Sequence, residues 1–419
     1  MRLQLSFLIM AMVAVQSPLL QAEPDEGVLA MPEVKQLPPG TVAGRKVIRY
    51  EHGSAEPWGY ATPQRDYFYV EFPKDPPSGK APLRVVLHSA GGAAQSEMGP
   101  NIATNRAHVI QAYVGEASYG LWLDCRDNRP VDWWWGYHSI LNMPGRYKTE
   151  LCPTENRILA TVKWVMRTFP IDPNRVYLSG ISMGGSGSLG LGMNHGNIFA
   201  AISVDVPAHP DHALYRLVNS KHPDPPPVFN FSSQNDGWSK GQEQLIAYCQ
   251  TNRYAMAFAW GPFGHTYDAS KFNAAVYESP WLAIRKDEAY PVFTGTSTDN
   301  TYPGFGNLKA PDQQGQINGF FRWKNLTDTP DKFVMELRLV KKTELKQPLE
   351  APGLAVTDVT LRRLQHFHVQ PGKTYQWQMV ADNRRPIQSG TVPADADGLL
   401  TIHKLQITDT PGQLQIEPN

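Results

Sequence analysis

The stretch Val176-Tyr177-Leu178-Ser179-Gly180-Ile181-Ser182-Met183-Gly184-Gly185 constrains this chain most. An apolar run of buried-strand type meets a serine set between glycines, and small residues come next, which predicts strand, sharp turn and helix in immediate succession. The pattern Gly180-x-Ser182-x-Gly184 suits a turn that holds the serine in a strained backbone conformation, because only glycine-sized neighbours leave room for it. A helix starting at Met183 also aims its N-terminal amides and positive dipole end at the space in front of the serine hydroxyl. Alone, the motif is short enough to arise as an ordinary glycine-rich turn packing a helix on a strand. Residues elsewhere in the chain decide between the two.

At 419 residues two domains are expected. The 39 Lys and Arg balance the 39 Asp and Glu without clustering, so the basic footprint of a nucleic-acid partner is missing. Arg2, an apolar run from Leu3 to about Val15, and Ala22 ahead of Glu23-Pro24-Asp25-Glu26 read as a signal peptide over 1–22, cleaved near Ala22. The expected location is therefore secreted or periplasmic. That run is shorter than the ~20 residues a bilayer span needs, and no lipid-accepting cysteine comes after it, so no membrane anchor is expected. Three cysteines fit an exported protein with one staple: Cys125 and Cys152 flank one unusual loop and are the expected pair, while Cys249 reads as a buried position on a helix.

Residues 23–60 are rich in Pro and Gly and read as an extended lead-in. Strands are expected at 67–72, 83–87, 176–181, 199–205, 227–233 and 255–260. Apolar residues at 158, 159, 162, 165, 166 and 169 mark a helix over Glu155–Phe169 with Thr154 as its N-cap. Strands alternating with helices over 61–288 imply an α/β domain with a mostly parallel sheet. A Gly-, Pro-, Thr- and Asp-rich linker is expected over 289–314. Period-two alternation then takes over, as in Phe333-x-Met335-x-Leu337-x-Leu339 and Tyr375-x-Trp377-x-Met379, which predicts an antiparallel β-sandwich over 315–419. Pro371-Gly372-Lys373-Thr374-Tyr375 resembles the turn entering a late strand of fibronectin type III domains, where a tyrosine locks a corner.

A serine nucleophile needs a base, and the base needs an acid that fixes its tautomer. The strand ending at Ser233 runs into Gln234-Asn235-Asp236-Gly237-Trp238, which makes Asp236 the expected acid, with Asp205, at the end of the preceding strand, as the competitor. The last strand runs into Gly261-Pro262-Phe263-Gly264-His265, which makes His265 the expected base. The strand Leu83–Leu87 ends in His88-Ser89-Ala90-Gly91-Gly92, small residues that let a backbone amide approach an oxyanion, so Ala90 and Met183 are the expected donors. His88 itself is expected to bond its own loop. Asp132-Trp133-Trp134-Trp135-Gly136-Tyr137-His138 has neither helical nor strand period and is expected to put at least one of Trp133, Trp134 and Trp135 against substrate. No metal site is supported: His209-Pro210-Asp211-His212 has no third ligand at sensible spacing. Asn325-Leu326-Thr327 matches a glycosylation acceptor. Gly184-Gly185-Ser186-Gly187-Ser188 lacks the lysine of a phosphate-binding loop.

Over about residues 65–285 the chain resembles the polyhydroxyalkanoate depolymerase and feruloyl esterase branch of the α/β-hydrolases. The likeness is carried by Leu87-His88, Asp172-Pro173-x-Arg175, Gly180-Ile181-Ser182-Met183-Gly184-Gly185, Asp236 and Gly264-His265. It implies an α/β-hydrolase fold with helices on both faces of the sheet, a secreted serine esterase activity needing no cofactor, and Ser182, Asp236 and His265 as a triad. Ser89 stands where the family usually has glycine. The same triad would also serve a peptidase or acyltransferase. An exported binding protein with a decayed site is the alternative from another class.

Overall fold

The computed structural model describes residues 30–419 except 43, 99–116, 125–132, 137–149, 220–221, 263, 266–273, 306–313, 347–348 and 382–384. The expected signal peptide, Cys125, Asp132, Tyr137 and His138 lie outside the described residues. The strands of the first region are β1 (Val34–Gln36), β2 (Gly40–Val42), β3 (Arg45–Gly53), β4 (Arg65–Glu71), β5 (Ala81–Leu87), β6 (Tyr119–Leu123), β7 (Ile171–Ile181), β8 (Ala201–Asp205), β9 (Val228–Ser233) and β10 (Met256–Gly261). Among the described residues its helices are α1 (Ala94–Met98), α2 (Pro153–Thr168), α3 (Met183–Met193), α4 (Pro210–Asn219) and α5 (Gln242–Asn252).

Strands β6, β5, β7, β8, β9 and β10 lie side by side and parallel. This is the α/β-hydrolase fold. Every residue of β5, β8, β9 and β10 is buried, because both faces of the sheet are covered, which is why these strands read as continuous apolar runs. Leu83, Val85, Leu87, Val176 and Leu178 pack with Ile158, Leu159 and Val162 of α2. Further along that face Ile202, Val204 and Phe258 meet Leu189, Leu217 and Leu245 of α3, α4 and α5. The opposite face, with Val86, Tyr177, Phe229 and Phe231, is covered by Ala94 and Met98 of α1 and by the single turns carrying Val276 and Trp281.

Several expectations change. Residues 34–53, expected as a lead-in, pair antiparallel as β1 to β3 and extend the sheet through β4, which is antiparallel to β6. The N-cap of α2 is Cys152, not Thr154: Pro153 takes the first helical position, where no N–H is missed, and the Glu155 carboxylate accepts the Cys152 N–H at 2.9 Å. Asp172-Pro173-Asn174-Arg175 is a bulge within β7, between the pairs Ala81 with Ile171 and Leu83 with Val176. The Asp172 carboxylate closes it, accepting the Asn174 N–H at 3.0 Å and Arg175 Nε at 3.0 Å.

The second region has two antiparallel sheets around one apolar core. One contains β11 (Tyr290–Thr294), β15 (Leu354–Arg362) and β18 (Thr401–Thr408). The other runs β13 (Phe321–Asp328), β14 (Phe333–Leu339), β19 (Gly412–Pro418), β16 (Thr374–Ala381) and β17 (Pro386–Pro393). The expected linker is not a plain connector: β11 falls within it, and β12 (Gly315–Ile317), just after it, returns to pair antiparallel with β10 of the first sheet. The chain therefore crosses between the two regions three times before staying in the second.

Candidate active site

Ser182 sits between β7 and α3 at φ 55° and ψ −117°, a conformation that costs an L-residue energy and persists only where surroundings enforce it. The surroundings are backbone. A Cβ on Gly184 would stand 1.9 Å from the Leu87 carbonyl oxygen, and one on Gly180 would stand 2.8 Å from the same atom. Strand β5 thus passes too close for any side chain at either elbow glycine. The Ser182 N–H is held by the Asp205 carbonyl at 2.9 Å, and the Ser182 carbonyl accepts the Ser186 hydroxyl at 3.0 Å.

The parallel strands all deliver their C-terminal ends to this edge, and so bring together residues far apart in sequence. His265, beyond β10, has Nε2 2.7 Å from Ser182 Oγ and Nδ1 2.7 Å from Asp236 Oδ2. Asp236 lies in the turn after β9, its carboxylate side chain fully buried, whereas the His265 ring is 34 % exposed. With Asp236 accepting from Nδ1–H, Nε2 presents its lone pair to the serine hydroxyl. The other carboxylate oxygen of Asp236 accepts the Trp238 N–H at 2.9 Å. Asn235 ties the two loops together: its Oδ1 accepts the Gly264 N–H and the Ser233 hydroxyl, each at 2.7 Å. Sequence reasoning passed over Asn235, although its place beside the expected acid was a signal.

Asp205 is directed elsewhere. Its backbone pairs with Ile181 and Phe231, and its buried carboxyl lies near Arg84 and Tyr277. Burial pushes this carboxyl up to about 7, although the Arg84 charge and the Tyr277 hydrogen bond pull the other way.

Four hydrogen bonds hold the loop after β5. The Ser89 N–H and hydroxyl both donate to Glu97 Oε1, at 2.7 and 2.8 Å. The serine where the family usually has glycine thus finds a buried acceptor. The His88 ring bonds its loop through Nδ1 and the Ser89 carbonyl at 2.8 Å, and the Trp134 indole N–H donates to the His88 carbonyl at 2.8 Å. The Ser89 amide is thus committed to Glu97, and Ala90, the next residue, is exposed. Met183 opens α3 directly after the serine.

The three tryptophans separate. Trp134 and Trp135 are 0 and 1 % exposed, so the expectation of substrate contact is withdrawn for both. Burying a large aromatic side chain contributes about 3 kcal/mol, and each has a structural seat: Trp134 packs on His88 at 4.9 Å and against Gly187, Trp135 beside His212 at 6.0 Å. Trp133 is only partly buried, 5.8 Å from Trp238, and Trp238 is 6.4 Å from His265. Cys249 is buried in α5, where its thiol is pushed up to about 12 by burial, unsuited to nucleophilic work. Cys152 is buried as well.

A parallel hydrolase sheet with a Ser-His-Asp arrangement at its C-terminal edge defines the class. Residues 158–275, which include Ser182, Asp236 and His265, match the family model described as putative esterase. Comparison with curated proteins finds no match. The chain is similar to an S-formylglutathione hydrolase from Staphylococcus aureus at 14 % identity, covering 57 % of this chain and 94 % of that one, with a TM-score of 0.37. It is similar to an S-formylglutathione hydrolase from Agrobacterium tumefaciens at 12 % identity, 55 and 92 % coverage and a TM-score of 0.41. A ferulic acid esterase from Anaeromyces mucronatus, solved with ferulic acid, shares 12 % identity over 59 % of this chain and 91 % of its own, with a TM-score of 0.37.

Proposed function

We propose that the chain is a serine carboxylic-ester hydrolase working through an acyl-enzyme. Ser182 Oγ attacks the ester carbonyl while His265 Nε2 takes its proton, and Asp236 holds the histidine tautomer and balances the imidazolium. The amides of Met183 and Ala90 receive the oxyanion. His265 then protonates the leaving alcohol, and water activated by the same nitrogen releases the acid. This route needs no cofactor. The observation that carries the proposal is the pair of 2.7 Å contacts, serine to histidine and histidine to aspartate, on a serine held at φ 55°. Ser182→Ala is expected to lower turnover of short acyl esters by about 10⁶-fold with the fold intact. Retention of a tenth of the activity would remove Ser182 from the mechanism.

We further propose a polymer or polymer-derived ester as substrate, such as an acetyl or feruloyl group on a polysaccharide, or a polyester. The exposed tryptophan beside His265 and the appended sandwich support this. Tyr375 supports a fibronectin type III-like character for that sandwich: its hydroxyl accepts the Gln370 N–H at 2.8 Å and donates to the His368 carbonyl at 3.3 Å, a tyrosine-locked corner. Arg2 and the apolar run after it support export, and Cys125 with Cys152 is the proposed disulfide of the exported protein. Non-reducing peptide mapping tests that pairing; Cys249 in the bridge would contradict it.

A further inference from the structure

Trp238 is 43 % exposed, yet its backbone is hydrogen-bonded at both its N–H and its carbonyl. Its N–H donates to the Asp236 carboxylate at 2.9 Å, and its carbonyl accepts the His209 N–H at 2.8 Å. The His209 ring stands edge-on to the indole at 5.5 Å, Trp133 lies at 5.8 Å, and the His265 imidazole at 6.4 Å. The backbone of the acid's own turn is thus held on both sides of Trp238, and the partly exposed indole ring lies 6.4 Å from that of the base. Leaving such surface in water is unfavourable, and a rigid aromatic platform loses little entropy when something stacks on it.

The chemistry says which half of an ester reaches it. When the tetrahedral intermediate collapses, the bond between the carbonyl carbon and the alcohol oxygen breaks, and the proton on His265 Nε2 passes to that oxygen. Ser182 keeps the acyl group. The alcohol oxygen must therefore come within hydrogen-bonding distance of Nε2, and whatever it carries departs past His265. The loop after β5 is braced by Trp134 instead, whose indole N–H donates to the His88 carbonyl at 2.8 Å.

We propose that Trp238, with Trp133 behind it, is the platform that selects the alcohol moiety, and that it favours alcohols carrying a flat ring, a pyranose with its C–H face or an aryl group. This rests on the esterase proposal above and adds to it the half of the substrate that is read.

Two series of esters test it. One keeps the acetyl group and varies the alcohol: methyl acetate, benzyl acetate and a monoacetylated methyl xylopyranoside. The other keeps methanol and varies the acid: acetate, butyrate and ferulate. For Trp238→Ala, the ratio of kcat/KM on each ring-bearing acetate to that on methyl acetate is expected to fall about 10-fold, the scale of one lost stacking contact. Trp238→Phe should restore most of that ratio. Ratios within the methyl ester series should stay as in the wild type. A uniform loss across the acetates, or a change that tracks the acid instead, overturns the proposal. If the wild type cleaves none of these esters, the esterase reading fails separately. Calorimetric titration of benzyl alcohol and methyl xylopyranoside into Ser182→Ala, with and without Trp238→Ala, then decides the platform alone: equal affinity in both proteins overturns it, and weakened binding without the indole upholds it. Between the two ligands, a loss confined to one identifies aryl or sugar as the ring preferred.

Discussion

Asp205 and Asp236 come at the ends of neighbouring strands of one sheet, and both are buried, yet only one reaches the histidine. Asp205 is still inside the pleat, in register with Ile181 and Phe231, so its side chain shares their face of the sheet and descends toward Arg84 and Tyr277. Asp236 lies three positions beyond the end of β9, in a turn where the pleat no longer dictates direction. There the Trp238 N–H and the His265 ring hold its carboxylate, while its own N–H donates to the Ser233 carbonyl. Strand order brings a carboxylate to the right end of the molecule, but the last paired residue decides which way it faces.

Exchanging each carboxylate for an amide is the strongest way to break this comparison. Asp236→Asn should lower kcat by about 10⁴-fold, because the amide favours the wrong histidine tautomer, whereas Asp205→Asn should change it far less. Steady-state kinetics on a short acyl ester ranks the two, and the reverse ranking would move the acid to Asp205. Asn235→Ala should give an intermediate loss, about 10- to 100-fold in kcat, since it frees the Gly264 amide and loosens the histidine loop from the acid turn. An unchanged kcat would mean that packing alone holds the two loops.

The smallest effect lies in stability. The Asp205 carboxyl has an ordinary value of 3.8 and is pushed up to about 7 by burial. A raised value in the folded state means that the folded protein holds this proton more tightly than the unfolded chain does. The associated stabilisation is complete below about pH 4 and is lost as pH rises through about 7. The melting temperature of the wild type should therefore fall relative to that of Asp205→Asn across this window. A constant difference between the two would mean that Asp205 stays ionised beside Arg84.

Much of this was legible because short-range rules govern it. The elbow glycines, the order serine, aspartate, histidine, and the strands leading to each emerge from local pattern, and these residues meet as expected. Residues whose direction depends on tertiary contacts were not. Three adjacent tryptophans carry no period that says which faces inward, and Trp134 and Trp135 go inside because Gly187 and His88 make room and a carbonyl partner for one of them. Trp238 escaped notice as a single residue after an Asp-Gly turn, and only the fold sets it beside His265. Glu97 was invisible as the anchor of Ser89, eight positions away across a loop. β1, β2 and β12 are additions of three residues each, too short for alternation to announce, and the adjacent apolar pair Val47-Ile48 breaks the alternation of β3.

The central claim, that Ser182 is a nucleophile activated by His265, is tested most directly by reaction with a fluorophosphonate and then peptide mass spectrometry. The serine oxygen should displace fluoride and carry the phosphonyl group, so one adduct is predicted, on the peptide containing Ser182. It should be absent from Ser182→Ala and formed far more slowly in His265→Ala. An adduct on another residue, or labelling of Ser182 at the same rate without His265, would contradict it.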